Sequence, residues 1–192
     1  MPLPLEPAAD FTLLDMRSTP VAFSDCWRQR PTAFVFVRHL GCSFCQQQVK
    51  DLRDHARELE EAGLGVVIVT PDTAEHNAAF ATEHALPFLV LADPRRAVYA
   101  AYGFVEATAG QLLNPRVAAR GVMTLLHGNV PRRSAGSVRQ LPGLVIVDED
   151  GQLRYRHPAR DAADHLSAQQ LLDLGAPMLA TDRERTRVAL AG

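Results

Sequence analysis

Two cysteines with two residues between them, Cys42-Ser43-Phe44-Cys45, are the part of this chain best suited to chemistry. Thiols at this spacing either exchange disulfides or hold a metal, and where they sit on the chain helps decide which. Here an apolar run, Ala33-Phe34-Val35-Phe36-Val37, gives way through a short loop containing Gly41 to a helix-forming pattern. Cys42 therefore stands at or just before a first helical turn, where unpaired backbone N–H groups and the helix dipole favour a thiolate. Arg38 and His39, a few residues upstream, are placed to add positive charge. A depressed pKa is expected for Cys42, and the thiolate is the form that attacks a disulfide or a peroxide. Cys45 follows one turn later on the apolar side of the helix, where a more buried thiol with a higher pKa is expected. An exposed attacker with a sheltered partner in reach is what dithiol catalysis needs. The first gives a mixed disulfide or a sulfenic acid, and the second resolves it.

Other readings of these residues stay in view. His39-x-x-Cys42-x-x-Cys45 offers three ligands for zinc, with Cys26 a remote fourth, but a second Cys-x-x-Cys or a histidine pair is missing. The redox reading is preferred, and no metal or cofactor is implied. Two core thiols placed for packing would be an odd choice at a helix N-terminus. Cys26, in Ser24-Asp25-Cys26-Trp27, reads as a small buried hydrophobe, with a remote resolving role as the lesser alternative. Pro142 directly precedes a second apolar run, Leu144 to Asp148. In a thioredoxin-like fold it would face the cysteine loop as a cis-proline and present backbone to an extended substrate; a plain turn proline is equally admissible on sequence alone. The remaining histidines lack metal spacing, and no phosphate-binding glycine loop or Ser/His/Asp cluster is present.

The elements that must position the pair follow from periodicity. Asp10–Asp15 and Val21–Phe23 read as a hairpin around Thr19-Pro20. The run 33–38 suits a strand buried on both faces, as in parallel sheets. From Ser43 to Ala62 the period becomes helical: Cys45, Val49, Leu52, Ala56 and Leu59 form one stripe, and Gly63 is the stop. Strands at 65–70 and 88–92 alternate with a helix opened by Asp72-Thr73-Ala74-Glu75 and another opened by Asp93-Pro94 and closed by Gly103. Strands 144–148 and 152–156 flank an Asp-Gly turn, and Ser167 caps a last helix. This order implies an α/β sandwich of thioredoxin-like type, a central mixed sheet flanked by helices with an N-terminal β-hairpin, although periodicity also allows other small doubly wound folds. Residues 104–138 break the alternation and are read as an Arg-rich, partly helical insertion. An elaboration with solvated arginines is the blander account of it, and a lid or partner surface for an anionic group the sharper one.

At 192 residues the chain is read as a single domain carrying that insertion. Hydrophobic residues make up 47 % and charged residues 22 %, which excludes disorder and coiled coil for the whole. Its 20 basic and 22 acidic residues leave a net charge of −2, no global reason to bind nucleic acid or an anionic membrane. Three cysteines cannot frame a small secreted disulfide protein. The first ten residues lack the basic and apolar regions of a signal peptide, and no apolar stretch approaches a membrane span. A reducing cytoplasm is the expected compartment.

Ala9–Asp15 with Val21–Asp25 resembles the opening of the peroxiredoxin (alkyl hydroperoxide reductase / thiol-specific antioxidant) superfamily. Phe36-Val37-Arg38-His39-Leu40-Gly41-Cys42-Ser43-Phe44-Cys45-Gln46 is similar to a peroxiredoxin-like branch carrying a phenylalanine–x–arginine–x–x–glycine–Cys-x-x-Cys segment. Gln140–Leu144, the ensuing Asp-Gly turn and Arg156-His157 with Asp161–Asp164 are also like that branch. The resemblance implies a thioredoxin fold and a thiol-dependent antioxidant or oxidoreductase role, with Cys42 attacking and Cys45 resolving. It departs in two places. A threonine or serine is usual where His39 stands, and the arginine usual before the strand 144–148 has no match beside Pro142. Both usual groups polarise a peroxide, so their absence raises the standing of disulfide exchange. The expected catalytic residues are Cys42, Cys45, Arg38 and His39, and Gly41, Phe44 and Pro142 are the candidates for substrate contact. The substrate would be a peroxide, an organic one included, or a disulfide, and the reductant thioredoxin or a low-molecular-weight thiol. A homodimer is in keeping with many relatives. A protein-disulfide reductase or a redox-sensing module with little peroxidase activity is the alternative.

Overall fold

The computed structural model describes residues 6–107 and 139–175, so the insertion beyond residue 107 lies outside the described residues. The strands are β1 (Glu6–Pro7), β2 (Thr12–Leu14), β3 (Pro20–Ala22), β4 (Thr32–Phe36), β5 (Gly65–Thr70), β6 (Leu89–Ala92), β7 (Gly143–Val147) and β8 (Gln152–Pro158). They form one sheet in the order β1-β8-β7-β4-β5-β6-β2-β3. β4, β5 and β6 are parallel, while β7 and β8 continue antiparallel beyond β4. The N-terminal hairpin joins β6 through a single pair, Leu14 with Ala92.

The helices are α1 (Phe23–Trp27), α2 (Ser43–Asp54), α3 (Ala56–Glu61), α4 (Ala74–Glu83) and α5 (Ala97–Ala101), followed by helical residues 168–175. Every residue of β4 is buried, as a strand covered on both faces demands. Its side chains alternate between two cores. Ala33 and Val35, with Val37 just past the strand, pack with Cys45, Val49 and Leu52 of α2, Phe80 of α4 and Leu171. Phe34 and Phe36 pack with Phe23 and Trp27 of α1 and with Val98 and Tyr99 of α5. The thioredoxin-like sandwich read from the sequence is therefore present: a curled mixed sheet between helices.

The local boundaries differ from the expected ones where tertiary partners intervene. The long helix after Cys42 breaks at His55 into α2 and α3 (φ −106°, ψ 14°). Gly63 ends α3 with φ 82°, its N–H bonded to the Glu60 carbonyl and that of Leu64 to Leu59. Thr73, not Asp72, caps α4. Asp93 does cap α5, accepting from Ala97 and Val98 at 3.0 and 2.8 Å, but the helix starts only at Ala97 because Arg96 adopts a left-handed φ of 55°. Ser167 and Gln170 cap the final helix reciprocally. The two ends of the insertion are clasped together: Glu106 bridges Gln140, and the Leu141 N–H donates to the Val105 carbonyl at 3.2 Å.

Candidate active site

After β4 the backbone runs to Arg38 and then turns over residues 39–42, closed by the Cys42 N–H donating to the His39 carbonyl at 3.1 Å. Cys42 is the N-cap of α2, and Cys45 is its third residue. Two buried polar side chains pin the turn from either side. Asp72 accepts the Leu40 N–H at 3.3 Å, and the Gln46 amide donates to the Leu40 carbonyl at 3.2 Å. Gly41 is buried inside the turn.

The two sulfurs sit in opposite environments. The Cys45 thiol donates to the Cys42 sulfur, and this contact, with the N–H groups of Cys45 and Phe44 and the Arg38 charge, outweighs burial and lowers the Cys42 pKa to about 6. Neither backbone group closes a full capping hydrogen bond. The Arg38 guanidinium donates to Cys42 Sγ at 3.8 Å. Cys45 is pushed well above the ordinary thiol range, because its proton is held by Cys42, its site is buried and a Cys42 thiolate repels a second charge. Against that, the Arg38 N–H donates to Cys45 Sγ at 3.3 Å. One thiolate and one thiol in contact is the arrangement a dithiol nucleophile requires.

Three expectations need correction. Cys42 is not an exposed attacker: it is 5 % exposed against 4 % for Cys45, so charge and not exposure separates the two. His39 adds no positive charge, since burial and the neighbouring Arg38 lower its pKa to about 4 and leave it neutral at pH 7. The peptide bond to Pro142 is trans, as are all described peptide bonds. Its carbonyl accepts the Ala159 N–H at 3.3 Å. The register, with Phe36 opposite Gly143, still puts Pro142 at the cysteine end of the sheet, where it lines a small cleft with Gln48 of α2.

The remaining residues fall into place around the pair. Phe44 is buried in the same core as both cysteines. Cys26 lies at the other end of β4, its carbonyl accepting from Thr32, beside a cavity of about 360 Å³ lined also by Asp25, Arg30 and Leu64. Cys26 is partly buried, and burial with the Asp25 charge pushes its thiol up to about 11, which disfavours its thiolate. Among the described residues no group of three His, Cys, Asp or Glu side chains could hold a metal ion. No described helix is long and apolar enough to cross a membrane.

Sequence reasoning missed three residues of the site. Gln46 lies off the apolar stripe, Asp72 resembles an ordinary cap, and Tyr99 looks like core. Tyr99 is fully buried, with its hydroxyl 2.7 Å from the Val37 carbonyl and 2.9 Å from that of Val69. Only their hydrogen-bond partners distinguish them, and periodicity carries no signal for those.

Comparison with known proteins identifies the family and the fold. Residues 4–156 match the model of the AhpC/TSA family. The chain belongs to that family, and thus to the peroxiredoxin-like thiol peroxidases and oxidoreductases. It is 27 % identical to human peroxiredoxin-like 2C over 181 residues, covering 86 % of this chain and 77 % of that one. It is 35 % identical to a putative peroxiredoxin of Mycobacterium tuberculosis over 100 residues, 52 % of this chain and 63 % of the other. A chloroplastic thioredoxin-like protein of Arabidopsis thaliana matches at 26 % over 116 residues, 60 % of this chain, which spans under half (46 %) of that relative's length. Among solved structures, the peroxidoxin BcpB of M. tuberculosis superposes with a TM-score of 0.63 at 18 % identity over 92 % of this chain and 95 % of that one. A yeast mitochondrial 1-Cys peroxiredoxin does so with 0.70 at 13 % over 95 % and 79 %. At such identities these two speak for the fold.

Proposed function

We propose that the protein is a thiol-dependent reductase that cycles Cys42 and Cys45 between dithiol and disulfide, with a peroxide as its preferred oxidant. The observation that carries this reading is the polarised sulfur pair: a Cys42 thiol lowered to about 6 in contact with a Cys45 thiol raised well above its ordinary range. The Cys42 thiolate attacks the terminal peroxide oxygen, the O–O bond breaks, and the leaving alkoxide or hydroxide takes a proton from water. Cys45 then attacks the Cys42 sulfenic acid. A disulfide forms, and the Cys45 proton leaves with the hydroxyl as water. An external dithiol of thioredoxin type, or a low-molecular-weight thiol, returns two electrons. Arg38 favours the thiolate, while His39 and Phe44 enclose it in a site with little water. Gly41 and Pro142 border the approach.

Peroxide is favoured over a protein disulfide because Cys42 is only 5 % exposed. A small oxidant reaches such a sulfur more readily than a protein chain does. Protein-disulfide reduction is the second reading, supported by His39 standing where peroxiredoxins usually carry a hydroxyl. The reducing reaction fits a cytoplasmic setting, and pairing of two copies fits the family. The assay is consumption of hydrogen peroxide and cumene hydroperoxide by reduced protein, against reduction of insulin disulfides, with Cys42→Ser as control. Peroxide turnover lost in Cys42→Ser is expected. Insulin reduction alone moves the assignment to the second reading, and neither activity overturns catalysis in favour of a redox-sensing module.

A further inference from the structure

We propose that Tyr99 is a positioning residue for the redox pair, acting on the Cys45 sulfur through the one peptide group that joins Val37 to Arg38. Both ends of that group are engaged. Its carbonyl oxygen accepts the Tyr99 hydroxyl at 2.7 Å, and its N–H donates to Cys45 Sγ at 3.3 Å. A hydrogen bond accepted by an amide oxygen draws electron density toward oxygen and makes the N–H of the same amide a stronger donor. Tyr99 belongs to the core on one face of the sheet and Cys45 to the core on the other, with the end of β4 between them. The hydroxyl is held in place by its surroundings. The ring stands edge-on to Phe36 at 5.0 Å, and the Val69 carbonyl, 2.9 Å from the hydroxyl, also takes the Val37 N–H at 3.0 Å. Burial keeps the phenol protonated, and hence a donor, throughout the working range of pH.

The inference rests on the dithiol cycle proposed above. In the reducing half, a thiolate of a dithiol reductant attacks Cys42 Sγ and forms a new S–S bond. The Cys42–Cys45 bond breaks, its electron pair leaves on Cys45 Sγ, and that thiolate is then protonated from water. The reductant's second thiolate closes its own disulfide and releases Cys42 as thiolate, so two electrons pass to the pair. Negative charge develops on Cys45 Sγ at the atom met by the Val37–Arg38 N–H. Tyr99 thereby speeds reduction of the disulfide, and it favours the dithiol form because an N–H that polarises the Cys45 thiol strengthens the hydrogen bond this thiol donates to the Cys42 thiolate. It leaves the first oxidation step nearly untouched, because the reacting sulfur there is Cys42.

Tyr99→Phe keeps the ring and removes the hydroxyl. Tyr102→Phe removes a partly buried hydroxyl that donates to the Ala9 carbonyl at 3.1 Å, away from the pair, and serves as control. In dithiothreitol redox buffers Tyr99→Phe is expected to favour its disulfide roughly three- to tenfold more than wild type. Reduction should slow by a like factor, and iodoacetamide alkylation of Cys42 should change less than about twofold. Tyr102→Phe should match wild type in all three. Uniform 3-fluorotyrosine in the Tyr102→Phe background makes the remaining phenols stronger donors and should shift the equilibrium toward dithiol, and it decides the matter should Tyr99→Phe fail to fold. An unchanged equilibrium in the altered proteins, or an equal shift in Tyr102→Phe, overturns the assignment. Failure of wild type to form the Cys42–Cys45 disulfide at all instead overturns the cycle beneath it.

Discussion

Cys42 draws its thiolate character from one thiol, two N–H groups and one guanidinium, all supplied within eight residues of chain. Its reactivity toward iodoacetamide should rise through pH about 6 and level off above it, well below the ordinary thiol value of 9.0. Arg38→Met removes the fixed positive charge at 3.8 Å. The rate at pH 7 is expected to fall about two- to fivefold, and the two proteins should converge once both thiols are ionised. Rates that remain equal across the titration would remove Arg38 from the account. His39 has the opposite relation to charge. Its folded pKa, about 4, lies below its ordinary 6.5, so it contributes stability that is complete above 6.5 and lost as pH falls through 4. His39→Gln should flatten the fall in denaturation midpoint across that window, and a fall as steep as that of wild type would contradict the burial of a neutral imidazole. That the two cysteines come together was legible from spacing, since residues three apart at a helix start lie one turn from each other. The neutrality of His39 and the burial of Cys42 were not. The first depends on burial and the Arg38 charge, which outweigh the opposing carboxylate of Asp72, and the second on Phe44 and the core beneath the turn, packing that sequence proximity alone does not reveal.

Elements were legible to the extent that each carried its own periodicity. The double-faced burial of β4 and the stripe on α2 follow from alternation and from a period of 3.6. Their ends were less so, because caps are settled by tertiary partners: Asp93 reaches past a left-handed Arg96 to find α5, and Asp72 holds Leu40 while Thr73 caps α4. α4 closes with the same pair of bonds as α3, from Leu86 to Ala81 and from Ala85 to Thr82, but with an alanine at φ 48° where α3 has Gly63. A left-handed alanine costs about 1–2 kcal/mol, of which the greater freedom of an unfolded glycine takes back a part. Ala85 is exposed and has little packing to lose. Ala85→Gly should therefore stabilise the protein by about 0.5–1 kcal/mol in urea unfolding. A loss of stability would mean that this turn is not left-handed in solution.

At the scale of the molecule, the sheet brings the turn after β4, the start of β7 and the loop after β5 to one end, and leaves Cys26 at the other. This gathering could be anticipated from the strand–helix alternation. The curl that lets β1 pair with β8 while the hairpin joins β6 could not, because a two-residue strand carries no pattern. Since Cys42 and Cys45 lie within the first turn of α2, closing their disulfide asks nothing of the sheet. Hydrogen exchange of oxidised against reduced protein should differ around residues 39–48 and leave β4, β5 and β7 unchanged. Changes spread through those strands would mean that oxidation remodels the core. The account as a whole stands on the two sulfurs joining during turnover, and the most direct measurement is the mass of the protein after one equivalent of peroxide. The predicted result is a loss of two hydrogens that dithiothreitol reverses and that Cys45→Ser abolishes, leaving a sulfenic acid on Cys42. Stable addition of oxygen to the wild type, or a mass unchanged by peroxide, would contradict it.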